Sequence, residues 1–396
     1  MEPVRVVSID ERRARLGRRH AIRPTGRVAT VEDAVAAMGC FHATESSTIY
    51  LSGVARVDGL TVGDVDRALY TERTLIRQMA MRRTLFVFPR DALAAALGSA
   101  SARVAAEQRR TLVRDVEQSG LVVDGAGWLA AAERAVLDAL GDGRAASTTE
   151  LRAELTEIQG DMEHGTGRSW HGRSSFGPRV LTALSAAGSV VRGPVDGHWR
   201  AARPRWVVPG TWLVETPVPA SEREGYARLV DIWLHTFGPG TEHDVAWWLG
   251  STLGAVRTAL ADIGAVAVQL DGATGWLAAD DVEPVEAPEP WVALLPTLDP
   301  TTMGWKTRDW YLGEHGPDLF DRAGNGGATA WCDGRIVGGW YQDEDATVVV
   351  ATLEDVGADV RAALDAEAER LTTWLAGVRV NSIYASPVSR RLAQRT

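Results

Sequence analysis

The sequence predicts an α+β fold with several domains, on three observations. The 396-residue chain is 45% hydrophobic and 24% charged, which is enough apolar material to fill real cores and excludes a disordered chain. A pattern of two helices followed by strands occurs three times. After an acidic, proline-bearing stretch at 280–290, the pattern changes to alternating strands and one long amphipathic helix.

The first repeat lies near the N-terminus. Helices are predicted over 31–38, 61–69 and 72–81, and a strand over 82–89 that ends at Pro89. Helix, helix and strand in this order are typical of a winged helix, in which the second helix reads DNA and the strands form the wing. A generic α+β fragment is the alternative that the pattern leaves open.

The second and third repeats follow the same order with different spacing. A helix over 147–155, a helix and strand within 174–193 and a hairpin through 197–206 make the second repeat. Two helices within 224–250, then a helix and two strands within 251–281, make the third. The irregular spacing predicts tandem domains and not a solenoid.

The last part of the chain is predicted to be mainly β with one terminal helix. Strand-like alternation occurs at 291–305, 328–342 and 346–354, and an amphipathic helix is predicted over 359–377. The expected divisions are a basic N-terminal arm with the first winged helix (1–97), a helical connector with the second (98–210), the third winged helix (211–283) and the β-rich domain (284–396).

The net charge of the chain and the distribution of its arginines have different implications for DNA binding. A net charge of −10 argues against a nucleic-acid binder when the chain is taken as a whole. Arginines nevertheless cluster at 12–27, 77–90, 103–114 and 168–192. Because salt screens charges beyond a short range, a local basic face can still bind phosphate. The alternative for each cluster is a solvated face without a ligand.

Cysteine and histidine spacing excludes several classes of site. Cys40 and Cys332 lie far apart and offer neither a disulfide framework nor metal spacing, which favours a reducing cytoplasm. His164 and His171 have no cysteine or carboxylate at ligand spacing, so we expect no metal and no other cofactor. No apolar run approaches the roughly 18 residues of a membrane span, and the N-terminus lacks the apolar core of a signal peptide.

One polar turn, within "GCFHATESSTIYLSG" at 39–53, follows the first predicted helix. His42 and Thr44 can each donate and accept hydrogen bonds, and Glu45 adds a carboxylate. A histidine can also act as a base near neutral pH. The alternative is that His42 and Thr44 only cap the end of a helix.

Two longer segments carry a family resemblance. "ALYTERTLIRQMAMRRTLFVFPRD" at 68–91 and "LLPTLDPTTMGWKTRDWYL" at 294–312 resemble motifs of the bacterial winged-helix DNA glycosylases that include AlkZ and YcaQ, and "DGRIVGGW" at 333–340 resembles the strand pair that follows. The motifs occur in family order between about residues 8 and 392. The resemblance implies three tandem winged helices, a C-terminal β-barrel-like domain, and removal of bulky alkylated or cross-linked purines from DNA.

The resemblance also implies where the chemistry lies. The family's Gln–hydrophobic–Gln or Gln–hydrophobic–Asp triplet aligns with residues 42–44, so His42, Thr44 and Glu45 are the predicted catalytic residues. Hydrolysis of an N-glycosidic bond needs stabilisation of positive charge on the sugar and a positioned water. A cationic N7-alkylated purine leaves with little acid help, so weak polar groups suffice for this reaction.

Contacts to DNA phosphates and bases are predicted for seven residues. They are Arg77, Arg82, Arg83, Trp170, His171, Arg173 and Arg179. In the family's R-G-T-L-H segment, Arg83 replaces the glycine and Phe86 the histidine, so Arg83 is also a candidate steric block.

The predicted function is therefore a metal-free, monofunctional DNA glycosylase. Its expected partner is double-stranded DNA with bulky N7-alkylated or cross-linked purines, in DNA repair or in self-resistance to a genotoxin. The alternative is a non-catalytic winged-helix protein that recognises damaged DNA or regulates transcription. We expect a cytoplasmic, nucleoid-associated monomer that needs no membrane and no obligate protein partner.

Overall fold

The computed structural model describes residues 3–164 and 172–393 and has a mixed α/β architecture. Its helices and strands form four successive groups along the chain. No helix in these two ranges is both long and apolar enough to cross a membrane.

The first group surrounds a small three-stranded antiparallel sheet. Its elements are helices α1 (Ile9–Arg19), α2 (Val31–Ala37), α3 (Ser46–Val54), α4 (Val62–Asp66) and α5 (Arg90–Ala96) and strands β1 (Phe41–His42), β2 (Leu75–Met79) and β3 (Leu85–Pro89). Thr61 and Asp64 form a capping box that starts α4, as the sequence indicated for this helix. The strand order is β1-β3-β2, so β3 is central and pairs with both neighbours.

The helix predicted over 72–81 is wrong, because the chain forms strand β2 there. This strand pairs with β3 from Leu75 opposite Pro89 to Met79 opposite Leu85. Nearly all of its residues are buried, on both faces, so no apolar–polar alternation marks it as a strand. Leucine, arginine, glutamine and methionine also favour helices locally, and pairing with β3 overrides that preference.

The second group has a hydrophobic core of its own. Its elements are α6 (Ala102–Gln118), α7 (Gly125–Leu140), α8 (Thr148–Glu154), β4 (Asp161–His164), β5 (Gly172–Ser175), α9 (Phe176–Ala186), β6 (Val191–Asp196) and β7 (Arg203–Val207). Leu112, Val136 and Phe176 are among the residues of this core. The helices and hairpin predicted for the second repeat are present. The connection between β6 and β7 reaches the first group, where the ring of Trp199 lies 5.1 Å from that of Tyr50.

The third group follows the predicted helix–helix–hairpin order. Its elements are α10 (Pro209–Trp212), α11 (Glu222–Phe237), α12 (Glu242–Leu249), α13 (Leu253–Asp262), β8 (Val266–Leu270) and β9 (Ala273–Leu277). Capping boxes begin α11 at Ser221 and α12 at Thr241. Gly250, in the left-handed region at φ 63°, ends α12.

The fourth group contains an open four-stranded antiparallel sheet. Its elements are β10 (Val292–Leu295), α14 (Asp309–Leu312), α15 (Gly316–Leu319), β11 (Thr329–Cys332), β12 (Arg335–Gln342), β13 (Val348–Thr352), α16 (Gly357–Leu375) and α17 (Pro387–Ala393). The strands are ordered β10-β11-β12-β13, and within the described ranges the sheet does not close into the expected barrel. Helix α16 instead packs against both edge strands, which covers the sheet without closure.

One continuous core joins the first, third and fourth groups. Helix α3 lies inside it, with the residues from Ser47 to Val54 all buried. The turn that precedes α3 is therefore attached to a rigid element in the middle of the molecule.

Candidate functional site

The turn between α2 and α3 is held on both sides. Gly39, at φ 69°, ends α2 in the left-handed region, and a Cβ there would collide with Ile232. His42 pairs with Phe86 of β3, and the backbone N–H of Ala43 donates to the carbonyl of Leu85 at 2.8 Å. The turn is therefore anchored to the central strand.

His42 is a neutral, nearly buried imidazole. Its side chain is 4% exposed and packs against the Phe86 ring, with 5.0 Å between centroids. Burial, and then the positive charge of Arg82, lower the pKa of His42 to about 3. At neutral pH the ring therefore carries no charge.

A backbone contact assigns the tautomer of His42. The N–H of Thr44 donates to Nδ1 in a long hydrogen bond of 3.4 Å, so the ring proton lies on Nε2. Nε2 has no hydrogen-bond partner within residues 3–164 and 172–393, and it is not fully buried. In this arrangement His42 is a hydrogen-bond donor, and the role of base that its ordinary pKa suggested has no support here.

Thr44 and Glu45 point to different surroundings. Thr44 is exposed, beside His42. Glu45 is half-buried, and its Oε1 accepts a hydrogen bond from the backbone N–H of Ile383 at 2.8 Å. Burial raises the pKa of Glu45, although hydrogen bonds from the 382–384 segment oppose the shift. The structure thus brings His42 and Thr44 together and turns Glu45 toward the fourth group.

Glu45 faces a cavity of about 230 Å³ between α3 and the C-terminal segment. Its walls include Thr48 and Leu51 of α3 and Trp340 of β12. The Thr48 hydroxyl donates to the carbonyl of Thr297 at 3.0 Å and closes one side of the cavity.

A buried ion pair fixes α3 against the fourth group, and sequence reasoning missed it. Arg56, just after α3, and Asp299 are both 0% exposed and pair at 2.7 Å. Asp299 also accepts from the Ser52 hydroxyl at 2.8 Å and from the backbone N–H of Thr301 at 2.9 Å. The Asp-Pro of the 294–312 motif was the available signal, but nothing local identified Arg56 as its partner.

Arg77, a predicted DNA contact, lies inside the protein. It is 4% exposed on β2, and its guanidinium donates to the hydroxyl of Tyr70. The hydroxyl of Tyr50 on α3 donates to Asp66 at 2.6 Å. Phosphate outside the protein cannot reach Arg77 in this conformation, so the structure offers no support for that contact.

Arg82 and Arg83 form a strained turn between β2 and β3. Both have positive φ, 54° and 58°, which is costly for residues with a Cβ. Arg82 lies over the ring of Trp247 at 4.0 Å, and burial lowers its pKa to about 10, so it stays charged at neutral pH. Arg83 is exposed and lies 3.6 Å from Glu107.

The predicted contacts on the second group differ in accessibility. Trp170 and His171 lie outside the described residues. Arg173, exposed on β5, is 3.2 Å from Asp161. Arg179 on α9 donates to Asp115 at 2.6 Å, and this cation, with Arg114, lowers the pKa of Asp115 despite its burial. Arg179 therefore already has a counter-charge.

The described residues contain no group of three or more histidine, cysteine or acidic side chains that could hold a metal ion. Cys40 and Cys332 are both buried and free. Burial raises the pKa of both thiols, that of Cys332 to about 11, so neither is a thiolate at neutral pH.

A family model and a solved structure of DNA glycosylases are both similar to this chain. A family model described as DNA glycosylase AlkZ-like matches residues 35–374, which include the turn and Asp299. Among solved structures, the chain is similar to the Streptomyces sahachiroi DNA glycosylase AlkZ, with a TM-score of 0.74 and 19% identity over 95% of this chain and 98% of that chain. At that identity the likeness shows the fold alone. No curated protein matches the sequence.

Proposed function

The chain belongs to the AlkZ-like DNA glycosylase family, and we propose that it hydrolyses the N-glycosidic bond of bulky alkylated or cross-linked purines in double-stranded DNA. The observation that carries the proposal is the turn at 42–44. There a neutral imidazole, with its proton on Nε2, lies beside the exposed Thr44.

The proposed reaction needs no acid from the protein when the purine is alkylated at N7. The C1′–N9 bond breaks, and its electron pair leaves with the cationic purine, which becomes neutral. The oxygen of a water molecule then bonds to C1′, and a water proton passes to solvent. The positive charge that develops on the sugar makes the transition state high in free energy. Groups that stabilise that charge and position the water therefore accelerate the reaction.

We assign each of the three turn residues one part of this reaction. His42 donates from Nε2–H to the water, and the Thr44 hydroxyl makes the second hydrogen bond that orients it. Glu45 is assigned a positioning role: its Oε1 accepts from Ile383 and so holds the turn against the C-terminal segment. Arg82 and Arg83 are proposed to contact the DNA backbone near the turn.

A second candidate function is binding of damaged DNA without catalysis. Two observations favour it: His42 is only 4% exposed, and Glu45 accepts a backbone hydrogen bond from another part of the chain. Both residues then serve as structural parts of the turn.

Base release from DNA separates the two functions. The substrate is a duplex with a nitrogen-mustard adduct at guanine N7, assayed in single turnover. We expect His42→Ala to lower the rate by about 10²-fold, the usual cost of one lost hydrogen-bond donor, and His42→Gln to retain most of it. His243→Ala, which removes an exposed histidine on α12, is the matched control. Binding of the adducted duplex with no base release by the wild type would favour the second function.

The biological role that we propose is DNA repair or self-resistance to a genotoxin. A deletion strain tested against several alkylating agents distinguishes these roles. Sensitivity to many agents supports general repair, and sensitivity to one natural product supports self-resistance.

A further inference from the structure

Two arginines from distant parts of the chain lie against one tryptophan. The guanidinium carbons of Arg82 and Arg308 are 4.0 and 5.0 Å from the ring centroid of Trp247 on α12. Arg308 also lies 4.5 Å from the Phe320 ring. The first, third and fourth groups thus each contribute one or more side chains to this arrangement.

Neither guanidinium has a carboxylate partner among the residues that the structure describes. Arg308 donates to the carbonyls of Trp305 and Gly324, at 2.9 and 3.1 Å. Nη1 of Arg82 is buried without a hydrogen-bond partner. The buried Arg15 and Arg56, by contrast, are each paired with an acid. Burial, and then the positive charge of Arg308, lower the pKa of Arg82. Two cations that repel each other without a counter-ion are unfavourable unless an anion binds them.

Asp244, an acidic residue of α12, already accepts hydrogen bonds from other groups. Asp244 is 1% exposed, and its Oδ1 accepts from the backbone N–H groups of Lys306 and Thr307, at 3.1 and 2.9 Å. Asp244 therefore serves as a positioning residue that holds the 306–308 segment against α12, instead of neutralising Arg308.

The position of Arg82 is fixed by its backbone conformation and by the packing of α12. The Arg82 backbone adopts the left-handed region at φ 54°, which is unfavourable for a residue with a Cβ. A Cβ on Gly250 would lie 2.7 Å from the Arg82 nitrogen, so the end of α12 packs directly on this turn. The strained turn thus keeps Arg82 at Trp247.

An open groove continues from Arg308 along the fourth group. It has a volume of about 1000 Å³. Four basic and two acidic side chains line it: Lys306, Arg308, Arg322, Arg390, Asp309 and Asp321. Asp321 is already hydrogen-bonded by the side chain and backbone of Asn325. The excess of positive charge fits a polyanion that runs through the groove and not a single small ion.

We propose that Arg82 and Arg308 together bind one backbone phosphate of the DNA strand, next to the turn that carries His42, and that the strand continues along the groove past Lys306. The inference rests on the proposed function, because it takes DNA as the ligand. Guanidinium groups bind phosphate through paired hydrogen bonds, and Trp247 keeps both of them in place. The Arg82 turn leads directly into β3, which pairs with His42, so a phosphate held here fixes the strand relative to the catalytic turn.

Salt dependence of DNA binding tests the site without knowledge of the lesion. The probe is an undamaged, fluorescein-labelled 20-base-pair duplex, and anisotropy gives the affinity over a series of KCl concentrations. The phosphate is expected to need both guanidinium groups, so Arg308→Gln and Arg82→Gln should each release it and reduce the slope of log affinity against log salt by about 0.9. Arg257→Gln, which removes an exposed arginine paired with Glu242 on the third group, is the matched control and should leave the slope unchanged.

The double variant is the sharpest part of the test. If both arginines bind the same phosphate, Arg82→Gln with Arg308→Gln lowers the slope by about 0.9 in total. A loss of about twice that value would mean two separate phosphates and would overturn the inference. Near-UV circular dichroism of the tryptophans verifies folding, and Arg308→Lys, which keeps the charge, should weaken binding with an unchanged slope.

Failure of the inference and failure of the proposed function give different results. Wild-type slopes in both single variants, with base release intact in the wild type, would overturn the phosphate site alone. A wild type that does not bind DNA would overturn both. Loss of inorganic phosphate binding in Arg308→Gln, with unchanged duplex binding, would assign the site to a small anion and overturn the DNA assignment.

Discussion

Replacement of Asp299 by alanine should destabilise the protein strongly. Arg56 and Asp299 are both 0% exposed, and Asp299 accepts two hydrogen bonds from Arg56, at 2.8 and 2.7 Å, and one from Ser52. Asp299→Ala leaves the guanidinium buried without its counter-charge. Loss of one partner from such a pair costs about 3–5 kcal/mol.

Urea unfolding followed by tryptophan fluorescence measures this cost. The second group has a separate core, so we expect at least two transitions and assign the change to the one that involves the other three groups. The matched control is Arg223→Ala, which breaks an exposed pair with Asp262 and should cost less than about 1 kcal/mol.

A double variant tests whether the unpaired buried charge causes the loss of stability. Arg56→Met with Asp299→Leu removes both charges and replaces them with apolar side chains, so it should recover most of the stability lost in Asp299→Ala. A cost of less than about 1 kcal/mol for Asp299→Ala, or a double variant less stable than Asp299→Ala, would show that an unpaired buried Arg56 is not what destabilises the protein.

Three further predictions concern the turn and its surroundings. Because burial lowers the pKa of His42 to about 3, its ring signals in NMR should not titrate between pH 8 and pH 5; a midpoint near the ordinary value of 6.5 would contradict the burial argument. Burial raises the pKa of Glu45 above 4.5, so the charged form weakens the folded state at neutral pH. Glu45→Gln should therefore increase the free energy of unfolding at pH 7, with a gain that disappears as the pH falls below 4.5, and a gain that grows in acid would be the opposite of this expectation. Arg83→Gly relieves a φ of 58° and should raise thermal stability by about 0.5–1 kcal/mol, net of the added entropy of glycine in the unfolded chain; a loss of stability would show that the Arg83 side chain contributes more than its backbone costs.

Much of the fold could be predicted locally, because caps and apolar spacing act over a few residues. The helices at α4, α8 and α11 each start at a side chain that caps the first turn, and each was predicted near its observed position. Strand β2 was missed because its pairing with β3 is tertiary information. The absence of barrel closure in the described ranges had a similar cause, since the packing of α16 on β10 and β13 leaves no local trace.

Sequence reasoning proposed a site at residues 42–45 but did not describe the surroundings of its side chains. The position of the turn followed from the order of the motifs, and His42 and Thr44 are in contact as their spacing allows. The burial of Arg77 and the role of Arg308 were not foreseen, because charge alone does not reveal which arginine faces solvent.

Short-range patterns and motif identity were enough to predict most of the helices and strands, to indicate the family and to single out residues 42–45 as candidate catalytic residues. The state of those side chains depends on packing in three dimensions. His42 is neutral because Phe86 and neighbouring groups bury most of its ring and Arg82 repels a second positive charge. Arg56 forms a buried ion pair with Asp299, although 243 positions separate the two residues in the sequence. Burial and charge are properties of what surrounds a side chain, and in this protein those surroundings come from segments far apart in sequence.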